Sequence, residues 1–290
     1  MGSLRPKVYA VLLGAVIVIS FGSILIKLIP APALTIAAYR LSLATILLAP
    51  LAWRRGADWR PLSRRDLALS LLSGLFLALH FLSWISSLKY TSVASSVVLV
   101  SSSPIFVGLG SRFILREQLG PGLIWGIAVS LIGGLLIGYG DLSLGMGKLQ
   151  GDLLALGGGV MASAYFLIGR SVRQHVSLFN YVFIVYGLAA LLLLLATLAA
   201  RQPLFGYPKW AYLFLFLLAL GPQILGHSSL NWALRYASAA TIAVVVLGEP
   251  VGAAILAYFI LGEGLTVLKA FGGLLILGGI YLAARAGVME

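Results

Sequence analysis

Stretches of about 20 mainly apolar residues recur along the whole chain, separated by short segments in which prolines and glycines are frequent. A helix of about 20 residues, rising 1.5 Å per residue, crosses the roughly 30 Å hydrocarbon core of a bilayer. Ten spans are predicted, at residues 8–28, 34–53, 66–88, 92–114, 121–139, 151–170, 178–200, 209–232, 238–261 and 266–285. The pattern therefore predicts an all-α integral membrane protein, folded as one compact ten-helix bundle.

One part of this pattern occurs twice. Residues 88–117 and 234–263 align without insertion at a constant offset of 146 residues. The matching pairs are Lys89 and Arg235, Tyr90 and Tyr236, Ser92 and Ser238, Ala94 and Ala240, Pro104 and Pro250, and Glu117 and Glu263. In a chain of 290 residues, the simplest explanation is a duplicated half. We expect one repeat at residues 1–145 and a second at 146–290, together forming one transport domain.

The basic residues predict the orientation of the spans. Placing the N-terminus in the cytoplasm puts most of the 20 lysines and arginines in inside segments, which favours cytoplasmic N- and C-termini. Because each half has five spans, an odd number, the second half must enter the membrane in the opposite orientation. Inverted repeats are frequent in secondary transporters, whose two halves alternately expose a site near the membrane midplane.

Composition excludes several classes of protein. The apolar share is 61% and the charged share 10%, whereas soluble domains average about half and about a quarter. The net charge of +12 comes without a basic helix face or recognition motif, so no nucleic-acid partner is expected. The absence of cysteine excludes disulfides and thiolate metal sites. The first apolar run lacks a cleavage site and is predicted to remain as a span of the inner (cytoplasmic) membrane.

The doubled motif also carries a family resemblance. It consists of Leu88-Lys89-Tyr90-Thr91-Ser92-Val93-Ala94, Pro104 and Glu117, repeated as Leu234-Arg235-Tyr236-Ala237-Ser238-Ala239, Glu249-Pro250 and Leu261-Gly262-Glu263. On these residues the chain resembles the ten-helix, EamA-type exporters of the drug/metabolite transporter (DMT) superfamily over essentially its whole length. That group includes YddG-like exporters of aromatic amino acids, the comparison we favour. The resemblance implies export of small metabolites through a cavity lined by the first, third, fourth, sixth, eighth and ninth spans.

Polar residues inside the eighth span predict part of a substrate site. Gln223, His227 and Asn231 recur every four residues and form one polar stripe on an otherwise apolar helix. Because polar groups are costly in hydrocarbon, we expect the stripe to face the cavity. Hydrogen bonding between helices is the alternative role.

Aromatic positions extend this candidate site. In the third span, His80 and Trp84 share a helical face with neighbouring serines, which predicts a surface next to water or substrate. A tryptophan anchored at the membrane interface is the alternative. Tyr165 of the sixth span is a candidate for stacking on an apolar or aromatic substrate, with helix packing as its alternative.

Two charged residues lie well inside the predicted spans. Glu249 precedes Pro250, which removes a backbone donor, and its carboxylate must be paired, solvated or neutralised. It is a candidate to carry a proton or bind an amino group, or else occupies a solvated kink. Arg40 is a candidate to attract a substrate carboxylate, but we favour a side chain that snorkels or pairs with an acid.

Other polar and small residues predict packing. Ser101 and Ser103 are expected to bond the carbonyls that Pro104 frees, which leaves Ser102 as a candidate cavity residue. Small residues at every fourth position of the fifth span predict close helix approach; they are Gly122, Gly126, Ser130, Gly134 and Gly138. Glu117 and Glu263 are expected to anchor the ends of their spans.

The sequence leaves several functions in competition. The order Gly226-His227-Ser228 superficially fits an intramembrane hydrolase, but no orienting group or oxyanion hole is identifiable. A passive channel and a lipid or drug translocator are the stronger rivals. We predict an exporter of amino acids, aromatic ones included, or of similar small metabolites, working by alternating access. No catalytic residue, metal or cofactor is expected; the partners are a small-molecule substrate and the lipid bilayer, with the protein a monomer or a homodimer.

Overall fold

The computed structural model describes residues 4–54, 62–116, 118–139, 146–262 and 267–287. All regular secondary structure in these ranges is helical. Eight of the helices are long and apolar enough to cross a membrane, and two more carry the shorter apolar stretches Pro121–Gly133 and Ala270–Leu282. The predicted all-α fold of ten membrane helices in two inverted five-helix repeats is confirmed.

The ten membrane helices are numbered α1 to α10 in chain order. They are α1 Leu4–Leu28, α2 Ala33–Arg54, α3 Arg64–Ser87, α4 93–115, α5 Pro121–Tyr139, α6 Met146–Val172, α7 Leu178–Ala199, α8 Lys209–Ala233, α9 Ala239–Leu261 and α10 Val267–Gly287. Serine hydroxyls mark the start of three of them. Ser63, Ser177 and Ser238 each accept a hydrogen bond from the backbone N–H three residues further on, which satisfies a donor that the first helical turn leaves free.

Helices α4 and α9 are interrupted at equivalent positions. Helix α4 consists of Val93–Val100, Ser103–Gly110 and the π-helical turn Ser111–Leu115, and α9 of Ala239–Val246, Gly248–Leu256 and the π-helical turn Ala257–Leu261. Both π-helical turns end in a left-handed residue, Arg116 with φ 57° and Gly262 with φ 69°. The duplicated sequence therefore folds twice into the same irregular helix. Glu117 and Glu263, predicted to anchor these ends, lie outside the described residues.

Helices α5 and α10 pack backbone to backbone. The Ser130 hydroxyl donates to the carbonyl of Ile276 at 3.3 Å, and these two positions are 146 residues apart. A Cβ atom added to Gly279 would lie 2.6 Å from the carbonyl oxygen of Gly126 and 2.9 Å from the Ser130 nitrogen. The close approach predicted from the small residues of α5 is confirmed at Gly126 and Ser130.

The remaining helices enclose a polar interior. Helix α2 packs on α7, α3 on α6, and α1 on α8 and α9. Large apolar side chains such as Phe113 and Phe259 are exposed on the outer surface. This surface suits lipid as the solvent, while the polar side chains of the spans lie between the helices.

Substitution of Gly279 by alanine is expected to lower the thermal stability of the protein. The new methyl group would overlap the backbone of α5, and overpacking of this kind typically costs about 1–3 kcal/mol, more than the roughly 1 kcal/mol that alanine gains over glycine in a helix. The neighbouring Gly278→Ala is the control, because a Cβ there has no atom within 4 Å. Thermal unfolding in detergent should show a lower midpoint for Gly279→Ala alone; equal midpoints would contradict this packing.

Candidate substrate-binding site

Seven helices surround one central cavity. Its empty space is about 560 Å³, its open part included. The wall is formed by Ile19, Arg40, His80, Trp84, Val100, Ser101, Ser103, Ala162, Tyr165, Phe166, His227, Leu230, Val246 and Glu249. These residues come from α1, α3, α4, α6, α8 and α9, the helices that the resemblance implies, and from α2 through Arg40. Helix α2 is therefore an additional contributor that the sequence comparison did not suggest.

Helix irregularities flank the cavity on both sides. The interruption of α4 at Ser101 and Ser102 places wall residues on either side of the break. In α9 the interruption at Leu247 places Glu249 in the first turn of the second segment. Helix α8 is π-helical over Ala219–His227, with Pro222 inside. Irregular backbone within the membrane is tolerated where it lines a cavity, and such positions are typical of transporter sites.

Arg40 is held by aromatic faces and an amide. It is 1% exposed, and its Nε donates to Gln223 Oε1 at 2.7 Å. The guanidinium carbon lies 4.0 Å from the centre of the Phe81 ring and 5.8 Å from that of Trp84, which is the geometry of a cation–π contact. Among the described residues, Arg40 Nη1 has no hydrogen-bond partner.

This placement corrects the favoured interpretation of Arg40. The side chain does not snorkel to a helix end, because it turns inward and borders the cavity. No ion pair joins it to Glu249, the carboxylate on the same wall, although the two groups interact electrostatically. Its direct contacts are an amide and two aromatic rings.

Glu249 lies directly after the break in α9. A carboxylate in the first turn of a helical segment is favoured by the partial positive charge of the helix N-terminus. The backbone carbonyl of Glu249 accepts a hydrogen bond from the Ser20 hydroxyl at 3.5 Å, which ties α9 to α1. Its side chain forms part of the cavity wall and is a candidate to bind a positively charged group.

His80, Trp84 and His227 form an aromatic wall. His80 Nδ1 lies 2.9 Å from the Gly158 carbonyl; since a carbonyl only accepts, Nδ1 is the donor. The His80 and Trp84 rings are nearly parallel, at 7° with centroids 6.0 Å apart, and the His227 ring lies 6.4 Å from that of His80. Trp84 Nε1 and His227 Nδ1 lack partners within the described part of the chain.

Gln223 and Asn231 are not on the cavity wall, in contrast to the prediction of one continuous stripe. Both are 0% exposed. The sequence pattern assumed α-helical spacing, but the segment from Ala219 to His227 has the wider π-helical turn, so Gln223 and His227 no longer project in the same direction. Only His227 of the three borders the cavity.

The two buried amides instead hold wall residues in place. Gln223 fixes Arg40, as described above. The Asn231 amide donates to the hydroxyls of Tyr165 and, at 3.3 Å, Tyr186, and to the carbonyl of His227 at 2.9 Å. Tyr165 lies on the wall, and its role as a substrate contact stays a prediction. Phe81 and Tyr186 were missed by the sequence argument, although Tyr186 could have been found because it is the repeat partner of Arg40 at the 146-residue offset.

The predicted roles of the three serines are exchanged. Ser101 and Ser103 lie on the wall, whereas Ser102 does not. The Ser102 hydroxyl donates to the Leu99 carbonyl at 2.8 Å, which also accepts from the Ser102 backbone N–H at 3.2 Å, so this side chain is held against its own helix. The break between Val100 and Ser103 turns the side chains away from the directions that a continuous helix would give.

The site does not resemble a hydrolytic or metal centre. The Ser228 hydroxyl pairs with Tyr186 at 3.2 Å and not with a histidine, so the sequence neighbours His227 and Ser228 form no nucleophile and base pair. Within the described ranges, no three His, Asp or Glu side chains cluster closely enough to hold a metal ion. Four wall residues instead carry buried polar atoms that have no partner among the described residues, namely Arg40, Trp84, Ser101 and His227. Such groups are costly when left unpaired and indicate a ligand site.

A ten-helix bundle of inverted repeats around a central cavity is an arrangement typical of membrane transporters. The profile of the EamA-like transporter family matches residues 6–139 and 149–285, and the chain belongs to this family. The predicted resemblance to the DMT superfamily is thus confirmed.

Individual relatives agree with this assignment. An uncharacterized transporter of Archaeoglobus fulgidus is 29% identical over 261 residues, which cover 85% of this chain and 86% of that protein. The uncharacterized transporter YdfC of Bacillus subtilis is 26% identical over 82% of this chain and 76% of its own. A protein solved by crystallography shares the fold, with a TM-score of 0.79, 18% identity, and coverage of 98% of this chain and 99% of its own. Both of these relatives are named as transporters.

The exchange of serine roles can be tested by cysteine labelling, since the chain has no native cysteine. We expect Ser101→Cys to react with a small water-soluble thiol reagent faster than Ser102→Cys, because only position 101 borders the cavity. The two variants differ by one position and each replaces a hydroxyl with a thiol, so each controls for the other. Faster labelling of Ser102→Cys would contradict the placement of the break in α4.

Proposed function

We propose that this protein is a secondary exporter of amino acids, aromatic ones included, or of similar small metabolites, and that it works by alternating access. The central cavity, built by both repeats, carries this proposal: α1 to α4 supply one part of its wall and α6, α8 and α9 the other. A site between two halves is exposed to each side in turn when the halves tilt relative to one another.

Contacts at the helix ends support two alternating states. Lys27 near the end of α1 donates to the Thr91 carbonyl at 3.0 Å. Arg173, 146 residues further on, donates through Nε to the Asn231 carbonyl at 3.0 Å. Burial, together with the nearby Arg235, lowers the pKa of Arg173 to about 10, which leaves it charged at neutral pH. In an inverted repeat these contacts lie toward opposite membrane faces, so each tilt would break one and keep the other.

The proposal includes the membrane in which the protein lies and its orientation there. The distribution of basic residues favours the inner (cytoplasmic) membrane with both chain ends in the cytoplasm. The wall combines polar groups with the apolar surfaces of Ile19, Val100 and Leu230, which suits small amphipathic molecules.

Efflux from proteoliposomes tests the substrate class. Vesicles loaded in turn with Phe, Trp, Tyr, Thr and Met, with and without a pH gradient, should show saturable efflux of a subset. Trp84→Ala should lower that efflux by about tenfold, the equivalent of about 1.4 kcal/mol of lost contact. Trp125→Ala is the matched control, because Trp125 lies on the outer surface and is 67% exposed.

Equal efflux by the two tryptophan variants at matched expression would remove Trp84 from the substrate site. Absence of efflux for every amino acid in the panel would contradict the proposed substrate class. Dependence on the pH gradient would identify the export as proton-coupled, and independence as facilitated.

A further inference from the structure

We infer that the cavity selects zwitterions: an α-amino acid binds with its carboxylate at Arg40 and its ammonium group at Glu249. This inference rests on the proposed function, because it names the substrate class of the same cavity. It is carried by the two opposite charges on one wall and by the way each is held.

The first step concerns charge balance. Of the described wall residues, Arg40 is the basic and Glu249 the acidic one; no ion pair joins them, although the two groups interact electrostatically. A cationic ligand without a carboxylate would leave the guanidinium buried and unpaired. An anionic ligand without an amine would leave the Glu249 carboxylate buried and unpaired. Only a ligand with both charges satisfies both groups, since an unpaired charge in a buried site is strongly unfavourable.

The second step concerns how Arg40 is oriented. Gln223 occupies Nε, the Phe81 ring covers one face of the guanidinium, and Nη1 is without a partner among the described residues. A planar guanidinium fixed in this way presents its remaining donors in one direction, and a carboxylate is the group that matches this geometry. Gln223 is therefore a positioning residue: it does not line the cavity, but it determines where the guanidinium points.

The third step concerns the remainder of the ligand. The same cavity wall carries aromatic and aliphatic surface from Trp84, Phe166, Val100 and Leu230. This surface offers stacking and apolar contact to a side chain. The arrangement favours amino acids with aromatic or branched apolar side chains, because a charged side chain would find no partner on this surface.

Ligand binding to the purified protein tests the inference without requiring transport. The probes are phenylalanine, 2-phenylethylamine, which lacks the carboxylate, and 3-phenylpropionate, which lacks the amine. A second series consists of leucine, 3-methylbutylamine and 4-methylpentanoate. Calorimetry on the wild-type protein should give an affinity for the amino acid at least about tenfold higher than for either analogue in one or both series. No advantage of the amino acid in either series would overturn the inference.

Charge-neutral variants give a crossed pattern that a structural role would not produce. Arg40→Gln should abolish the advantage of the amino acid over the amine but keep its advantage over the acid. Glu249→Gln should do the reverse. Arg112→Gln, at an exposed arginine of α4, is the control and should keep both ratios. If Arg40→Gln and Glu249→Gln each weaken all three ligands equally, the two residues are structural and the inference fails.

The two proposals fail separately. Preferred binding of an amino acid without efflux of any amino acid from vesicles would support the zwitterion site and contradict export. Efflux of amino acids with equal affinity for their singly charged analogues would support export and contradict the zwitterion site. The wild-type affinities decide the inference even where a variant does not fold.

Discussion

The burial of the Arg40 guanidinium between membrane helices is the constraint on which the site depends. A charged side chain at the centre of a bilayer costs about 2.5–3.5 kcal/mol on insertion scales, so its neighbours must compensate. Phe81 and Trp84 of α3 supply aromatic faces, and Gln223 of α8 supplies an acceptor. Gln223 lies within the π-helical segment of α8, whose wide turn also directs His227 to the cavity. A single buried charge thus links α2, α3 and α8.

The two repeats have similar backbone structures but different side chains at the site. Helices α4 and α9 are interrupted and end in π-helical turns at positions 146 residues apart, so the scaffold keeps the two-fold relation. The charged positions break it: Tyr186 is the repeat partner of Arg40, and Ser103 that of Glu249. Each repeat therefore contributes one charge of the site. The symmetric scaffold suits alternating access, while the asymmetric side chains give the cavity two chemically different ends.

Hydrophobic length and the internal repeat were sufficient to predict the fold, because in hydrocarbon a backbone must satisfy its own hydrogen bonds and a helix of the required length does so. The sequence also identified His80, Trp84, Tyr165 and His227, which the structure places on one wall. It failed where the backbone departs from α-helical spacing. Helical spacing assigned Gln223 to the wall with His227 and Asn231, but the π-helical segment Ala219–His227 turns Gln223 away. Asn231 lies beyond that segment and bonds Tyr165 and Tyr186 instead. Ser102 was the serine left over once Ser101 and Ser103 had been assigned to packing, and it lies off the wall. The surroundings of Arg40 could not be predicted from the sequence of α2, because its aromatic partners Phe81 and Trp84 belong to α3.

Counterflow is the measurement that tests alternating access at this cavity most directly. Proteoliposomes are loaded with a high concentration of an unlabelled amino acid that has shown efflux in the vesicle assay. They are diluted into buffer with a trace of the labelled form and followed over time beside empty vesicles. A carrier that exposes one site to one side at a time exchanges substrate, so the label should transiently accumulate above its equilibrium level only in loaded vesicles. Uptake that approaches equilibrium without overshoot, regardless of loading, would identify an open pathway and contradict the account.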